Sequence, residues 1–173
     1  MEEVTPALLD KLIVRPTLEW LGPVFNTPGR RLLLIAIAMQ ESGLRDRLQI
    51  DENGKVLPHL GRSWWQFERG TVGLVLAHER CLWLPYRVQE LGYNPTPHGV
   101  HDAMAHNDIL GCAMGAALLW SDLKRLPSIG DEKSAWACYM RNWNPGKPRP
   151  QDWPENYALA MGTVLGEESA LVA

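Results

Sequence analysis

Glu41 closes an apolar run, Leu32-Leu33-Leu34-Ile35-Ala36-Ile37-Ala38-Met39-Gln40-Glu41. Counting back three, four and seven residues reaches Ala38, Ile37 and Leu34, so on a helix this carboxylate rises from an apolar face. A carboxyl group at the rim of an apolar pocket is poorly solvated when ionised. It keeps its proton to higher pH and can act as a general acid toward a glycosidic oxygen. The competing reading is a solvated helix end before Gly43, and the helix alone does not choose between the two. Further on, Ser63-Trp64-Trp65-Gln66-Phe67-Glu68 sets adjacent indoles among hydroxyl, amide and carboxylate groups. Such a stretch offers flat faces and hydrogen bonds to a sugar ring.

The elements that must position these groups are mostly helical. Thr27-Pro28 reads as an N-cap with proline in the first helical position, and Gly43 as the stop, which predicts a buried helix ending at the candidate acid. Ahead of it, Thr5-Pro6 opens a short helix that must end near Pro16, followed by a further turn over Thr17 to Leu21. Asn53-Gly54 between short apolar flanks predicts a β-hairpin over Leu48 to Leu57, the one small sheet expected. Thr71 is read as the cap of a helix through about Cys81, and a short helix is expected between Leu82 and Gly92. A long helix from near Asp102 to Leu126, rich in small residues, is expected as a second core helix. Its Gly111 to Gly115 spacing is read as soluble helix packing, because Asp122, Lys124 and Arg125 rule out a membrane-helix motif. Asp131 predicts a helix through Met140. Asp152 with Glu155 has capping-box spacing and predicts a last helix to about Leu165, with 166–173 fraying.

The 173 residues carry 17 Lys and Arg against 20 Asp and Glu, for a net charge of -3. That is one ordinary globular domain with no general attraction to polyanions, and no basic patch beyond the short Gly146-Lys147-Pro148-Arg149 argues for nucleic acid. Cys81, Cys112 and Cys138 form no C-x-x-C pair and read as buried thiols of a protein made in a reducing compartment. Glu2 and Glu3 stand where a secretory leader would be basic, and no run is long enough to span a bilayer. The expectation is therefore cytoplasmic synthesis without a signal peptide or membrane insertion. His98, His101 and His106 do not share the spacing of a zinc motif, so neither metal nor other cofactor is expected.

Taken in order, the motifs resemble the soluble lytic transglycosylases and goose-type lysozymes of the lysozyme-like superfamily, particularly the bacteriophage versions. Glu41-Ser42-Gly43-Leu44 resembles the catalytic glutamate-serine motif, and Ser63-Trp64-Trp65-Gln66-Phe67 the groove motif whose usual form is glycine-leucine-methionine-glutamine-isoleucine. Asn107 with Gly111 resembles the asparagine and glycine of the long core helix, and Ala137-Cys138-Tyr139 the alanine-alanine-tyrosine of the motif that follows. Glu155 and Tyr157 resemble the closing helix. The likeness covers about residues 30–160, with 1–26 as an N-terminal helical extension. This chain departs from the pattern at Ser63, Trp64, Trp65 and Met140.

The resemblance implies a mainly α (α+β), lysozyme-like single domain that cleaves the β-1,4 bond between N-acetylmuramic acid and N-acetylglucosamine in peptidoglycan, with Glu41 as acid and then base. A transglycosylase needs no second carboxylate, because the muramic 6-hydroxyl attacks the anomeric carbon. A muramidase would draw one from Asp51, Glu52 or Glu68, with Asp46 a further candidate. Asp51 and Glu52 are equally readable as turn formers. Ser42 either orients Glu41 or caps the helix end, Gln66 is assigned to an acetamido group or the attacking hydroxyl, and one of Trp64 and Trp65 is expected in the groove. Tyr139, Asn142 and Trp143 form the opposite wall, unless Trp143 pins its own loop. Trp120 and Trp136 are expected in the core. The expected partners are glycan strands and phage virion proteins, with the enzyme carried in the particle or released by a holin. A glycan-binding or virion structural protein without activity is the reading from another class.

Overall fold

The computed structural model describes residues 4–49, 51, 53–57 and 60–172, with side chains as far as Gly166. It is mainly helical. The chain opens with α1 (Pro6–Leu9), a π-helical segment (Asp10–Val14) and α2 (Arg15–Leu21), which follow one another without a break. The expected end at Pro16 is therefore not found. Proline lacks an N–H and its ring crowds the carbonyl four residues back, and here the turn before it is wound wider, with the Arg15 N–H reaching Asp10 O.

The π segment also turns Asp10 inward. Asp10 is fully buried, receiving the Arg31 guanidinium through Nε at 3.1 Å and through Nη2, and Arg15 at 3.3 Å. The N-terminal segment is thereby bonded to α3 (Pro28–Ser42), the helix that ends at Glu41. Thr27 caps α3 by accepting the Arg30 N–H, and Gly43 ends it in the left-handed region at φ 58°. Leu32 through Ala38 are buried without exception. Such side chains contribute about 1.5–3 kcal/mol each for full burial of the larger ones.

After α3 the chain makes turns rather than a sheet. The Asn53-Gly54 turn forms, with Gly54 N–H on Asp51 O at 3.0 Å and Asp51 N–H on Lys55 O at 2.9 Å. Among the described residues, isolated antiparallel bridges join Leu48 with Arg62 and Arg62 with Phe67, and no strand occurs.

Next come α4 (Arg69–Ala77), a 3-10 turn (Glu79–Cys81), α5 (Leu84–Glu90), α6 (Pro97–Ala103), α7 (Asp108–Ser121), α8 (Glu132–Trp143) and α9 (Trp153–Val172). The cap of α4 is Glu68, not Thr71. The long helix expected from Asp102 is two helices. Asn107 breaks it by accepting the Leu110 N–H at 2.9 Å as the cap of α7, while its amide donates to Tyr93 Oη at 3.2 Å. A short polar side chain that bonds its own backbone favours a helix start over a helix interior.

α7 and α9 pack on α3. Gly111 and Gly115 face a loop and α3 rather than only a neighbouring helix. A Cβ at Gly111 would lie 2.7 Å from Ser63 Cβ, and one at Gly115 would lie 2.9 Å from Leu34 Cδ2. The three cysteines are free and buried, and burial pushes the Cys81 thiol up to about 11. No helix among the described residues is long and apolar enough to cross a membrane.

Candidate active site

A cleft of about 660 Å³ opens at the C-terminal end of α3. Glu41 and the 49–67 loops, through Gln49, Gln66 and Phe67, line one part of it. One face of α4 contributes Glu68, Thr71, Leu74, Val75 and His78, which apart from the adjacent Leu74 and Val75 recur every three or four residues and so share a face. The end of α7 adds Leu118 and Ser121, and the end of α8 with its following loop adds Asn142 through Lys147.

Glu41 is half-buried, and its Oε1 accepts the Tyr139 phenol at 2.7 Å. Burial holds its carboxyl above the ordinary carboxylate range, with the Tyr139 hydrogen bond and the positive charge of Arg149 pulling the other way. The acid is therefore biased toward its protonated form, with one oxygen held by a neutral donor. Tyr139 is itself buried, stacks on Trp153 with ring centroids 5.4 Å apart at 12°, and meets Trp136 at 5.2 Å. Burial first and Glu41 second raise the affinity of the phenol for its proton, so it stays a donor.

Behind Glu41 lies a clamp that sequence reasoning missed. Gln40 Nε2 donates to Arg149 O at 2.9 Å, the Arg149 guanidinium donates to Gln40 O, and Asn156 Nδ2 donates to Gln40 Oε1 at 2.9 Å. The end of α3 is thus bonded both to the loop before α9 and to α9 itself. The available signal was Gln40, a polar residue in an otherwise apolar helix and almost fully buried. Burial of such a side chain is costly without partners.

The indole loop is built differently from the expectation. Ser63, Trp64 and Trp65 are all buried, and neither indole presents a face to the cleft. Arg62 and Phe67 close the loop through paired backbone hydrogen bonds of 3.0 and 2.9 Å, and the wedge between them presses onto the glycine face of α7. Trp65 Nε1 donates to Leu34 O at 2.9 Å, and Trp64 lies under the Arg47 guanidinium, 4.3 Å from its ring centroid. These indoles join the helices; the residues the loop sends to the cleft are Gln66, Phe67 and Glu68. The Gln66 amide nitrogen donates to Ser63 O at 2.8 Å and Asp46 O at 3.1 Å, and its Oε1 lies against Gly61, 2.5 Å from where a Cβ would stand there.

Ser42 does not bond Glu41. Its hydroxyl donates to Ala38 O at 2.8 Å and accepts the Leu44 N–H at 3.2 Å, the behaviour of a helix-end residue. Asp51 accepts the Asn53 and Lys55 N–H groups at 2.8 Å each, so it organises the turn and does not line the cleft. Glu52 lies outside the described residues. Asp46 meets the site only through its carbonyl on Gln66. Glu68 is exposed, lines the cleft and makes no capping hydrogen bond to α4.

On the far wall, Asn142 lines the cleft and donates to Asp122 Oδ2 at 2.9 Å and to Cys138 O at 2.8 Å. Trp143 lines the cleft and also donates to Trp65 O at 3.1 Å, so it both forms wall and ties α8 to the indole loop. Trp120 and Trp136 pack against the core. His78 lines the cleft with Nδ1 occupied by the Arg80 N–H at 3.2 Å.

His98, His101 and His106 are dispersed. His98 pairs with Asp102 at 3.1 Å, His101 is buried with Nε2 3.0 Å from Leu60 O, and His106 meets the Tyr93 ring. Among the described residues, no group of three or more His, Cys, Asp or Glu could hold a metal ion. Comparison with known proteins finds no matching family model, no matching curated protein and no matching solved structure.

Proposed function

We propose that the protein is a glycosidase of bacterial cell walls with a lysozyme-like fold, and more particularly a lytic transglycosylase acting on the β-1,4 bond from N-acetylmuramic acid to N-acetylglucosamine. The observation that carries the reading is the state of Glu41, a carboxyl group on an open cleft, biased toward protonation by burial and held at one oxygen by Tyr139. In the first step Glu41 gives its proton to the glycosidic oxygen as the bond to the anomeric carbon breaks. In the second, the Glu41 carboxylate takes the proton of the muramic 6-hydroxyl while that oxygen bonds to the anomeric carbon, giving a 1,6-anhydro product and restoring the acid. Gln66 and Asn142, both lining the cleft, are assigned to the acetamido and hydroxyl groups of the sugar. A bacteriophage setting, in the particle or at lysis, belongs to the same proposal.

A second reading has its own support in Glu68, the other carboxylate on the cleft among the described residues. In a muramidase it would activate water or form the covalent intermediate, whereas Asp51 is committed to its turn. Mass analysis of the soluble products from purified peptidoglycan, with Glu41→Gln and Glu68→Gln beside the parent, separates the readings. Anhydro-muropeptides lost only in Glu41→Gln are the expected result. Reducing-end products lost in both variants would establish the hydrolase. No products from the parent would overturn the enzymatic assignment in favour of a binding or structural protein.

A further inference from the structure

Lys147 is a cation on the cleft with no hydrogen bond or ion pair among the described residues. It is exposed, it lines the same space as Glu41 and Glu68, and its loop is fixed by the reciprocal Gln40–Arg149 bonds two residues further on. Its charge is not spent on the acid, because the cation whose field reaches Glu41 is Arg149. Arg149 in turn is engaged by Gln40 O and, at 3.4 Å, by Asp152. The neighbouring cations near this end of the fold are likewise occupied: Arg141 by Asp122 at 2.6 Å and Arg80 by Asp122 O at 3.0 Å. A neutral sugar chain needs no ammonium group beside it, and the Glu68 carboxylate on the cleft would repel an acidic ligand unless a cation met that ligand's charge.

Building on the lytic reading of this cleft, we propose that Lys147 is a specificity-determining residue that receives a carboxylate of the substrate, so that the cleft selects acid-bearing strands over uncharged β-1,4 N-acetylglucosamine chains. Two kinds of carboxylate on a wall strand have this chemistry. One is the lactyl group of muramic acid, which is free once the peptide has been removed; the other is the acids of the stem peptide. Lys147, on an exposed loop, supplies a solvated ion pair. Its effect is a modest, salt-sensitive preference, on the order of threefold in affinity.

The test uses the full chain with Glu41→Gln to prevent turnover. Dissociation constants are measured for three probes of equal sugar length: strands stripped of peptide, strands retaining stem peptides, and an uncharged chito-oligosaccharide. The expected result is a preference of roughly threefold for one acid-bearing probe over the neutral one, reduced by added salt. The ratio should fall toward unity in Lys147→Met and be kept in Lys147→Arg. Preference for the stripped strand assigns the lactyl carboxylate, and preference confined to the peptide-bearing strand assigns the stem peptide. A parent without preference, or a preference that survives Lys147→Met, overturns the proposal while leaving the lytic activity to stand on its products. Loss in Lys147→Arg equal to that in Lys147→Met would also overturn it, since charge would not be what is read. Failure of the lytic reading is seen separately, as the absence of soluble products from the unmodified protein on whole peptidoglycan.

Discussion

Tyr139→Phe removes one oxygen and leaves the aromatic packing in place, since the ring stacks on Trp153 and meets Trp136 through its faces and edges. What is lost is the 2.7 Å bond to Glu41 Oε1. To an ionised carboxylate such a bond contributes about 2 kcal/mol, and to a neutral carboxyl group about 1 kcal/mol. The variant should therefore be destabilised by about 2 kcal/mol at about pH 8 and by about 1 kcal/mol at about pH 4, where Glu41 is protonated. The difference of about 1 kcal/mol appears as a further rise in the pKa of Glu41. The direction follows from the charge, because the phenol favours the ionised form and its removal favours the proton. Urea unfolding of parent and variant at the two pH values measures the stability difference, and carboxyl-resolved NMR titration measures the shift. Equal destabilisation at both pH values, with Glu41 titrating unchanged, would refute the idea that Tyr139 discriminates between the protonation states of Glu41.

Glu41→Gln should abolish product formation by at least about a hundredfold while stabilising the fold at neutral pH. A carboxyl group whose folded pKa lies above its ordinary 4.5 binds more protons folded than unfolded, so the parent loses stability as pH rises from 4.5 through the raised value, and the amide does not. Thermal unfolding across this pH range reads the effect. Gly111→Ala should destabilise by about 1–3 kcal/mol, because the new methyl would meet Ser63 Cβ at 2.7 Å and Oγ at 2.9 Å and the wedge has no room to retreat. Chemical denaturation would show this, together with a change in indole fluorescence from the displaced Trp65. Asp10→Asn should cost about 3–5 kcal/mol, since it removes the buried charge that the Arg31 guanidinium meets at Asp10, and a denaturation midpoint measures it.

Much of the scaffold of the site was legible locally. Thr27, Pro28 and Gly43 bound α3 as their chemistry requires, and the apolar run between them is buried. The Asn53-Gly54 turn and the Asp131 cap likewise depend only on residues within a few positions. Misreadings arose where a local preference met a tertiary partner. Pro16 is a helix breaker in isolation, but the π turn before it accommodates the ring and brings Asp10 to Arg31. Asn107 looks like part of one long helix until its amide is seen to cap α7 and bond Tyr93. Adjacent indoles suggest a sugar-binding surface, yet the absence of side chains at Gly111 and Gly115 opens the space that draws their loop into the core.

By itself, the sequence determined that a carboxylate would stand at the end of a buried helix in a mainly helical chain, because capping, periodicity and hydrophobicity act within a turn or two. Tertiary structure alone decided what surrounds that carboxylate. Tyr139 reaches Glu41 from 98 residues away, and the Gln40 clamp joins residues 109 and 116 positions apart. Such contacts arise from how α3, α8 and α9 pack. No local pattern encodes them, because a hydrogen bond at 2.7 Å depends on the relative placement of whole helices rather than on the residues adjoining either partner.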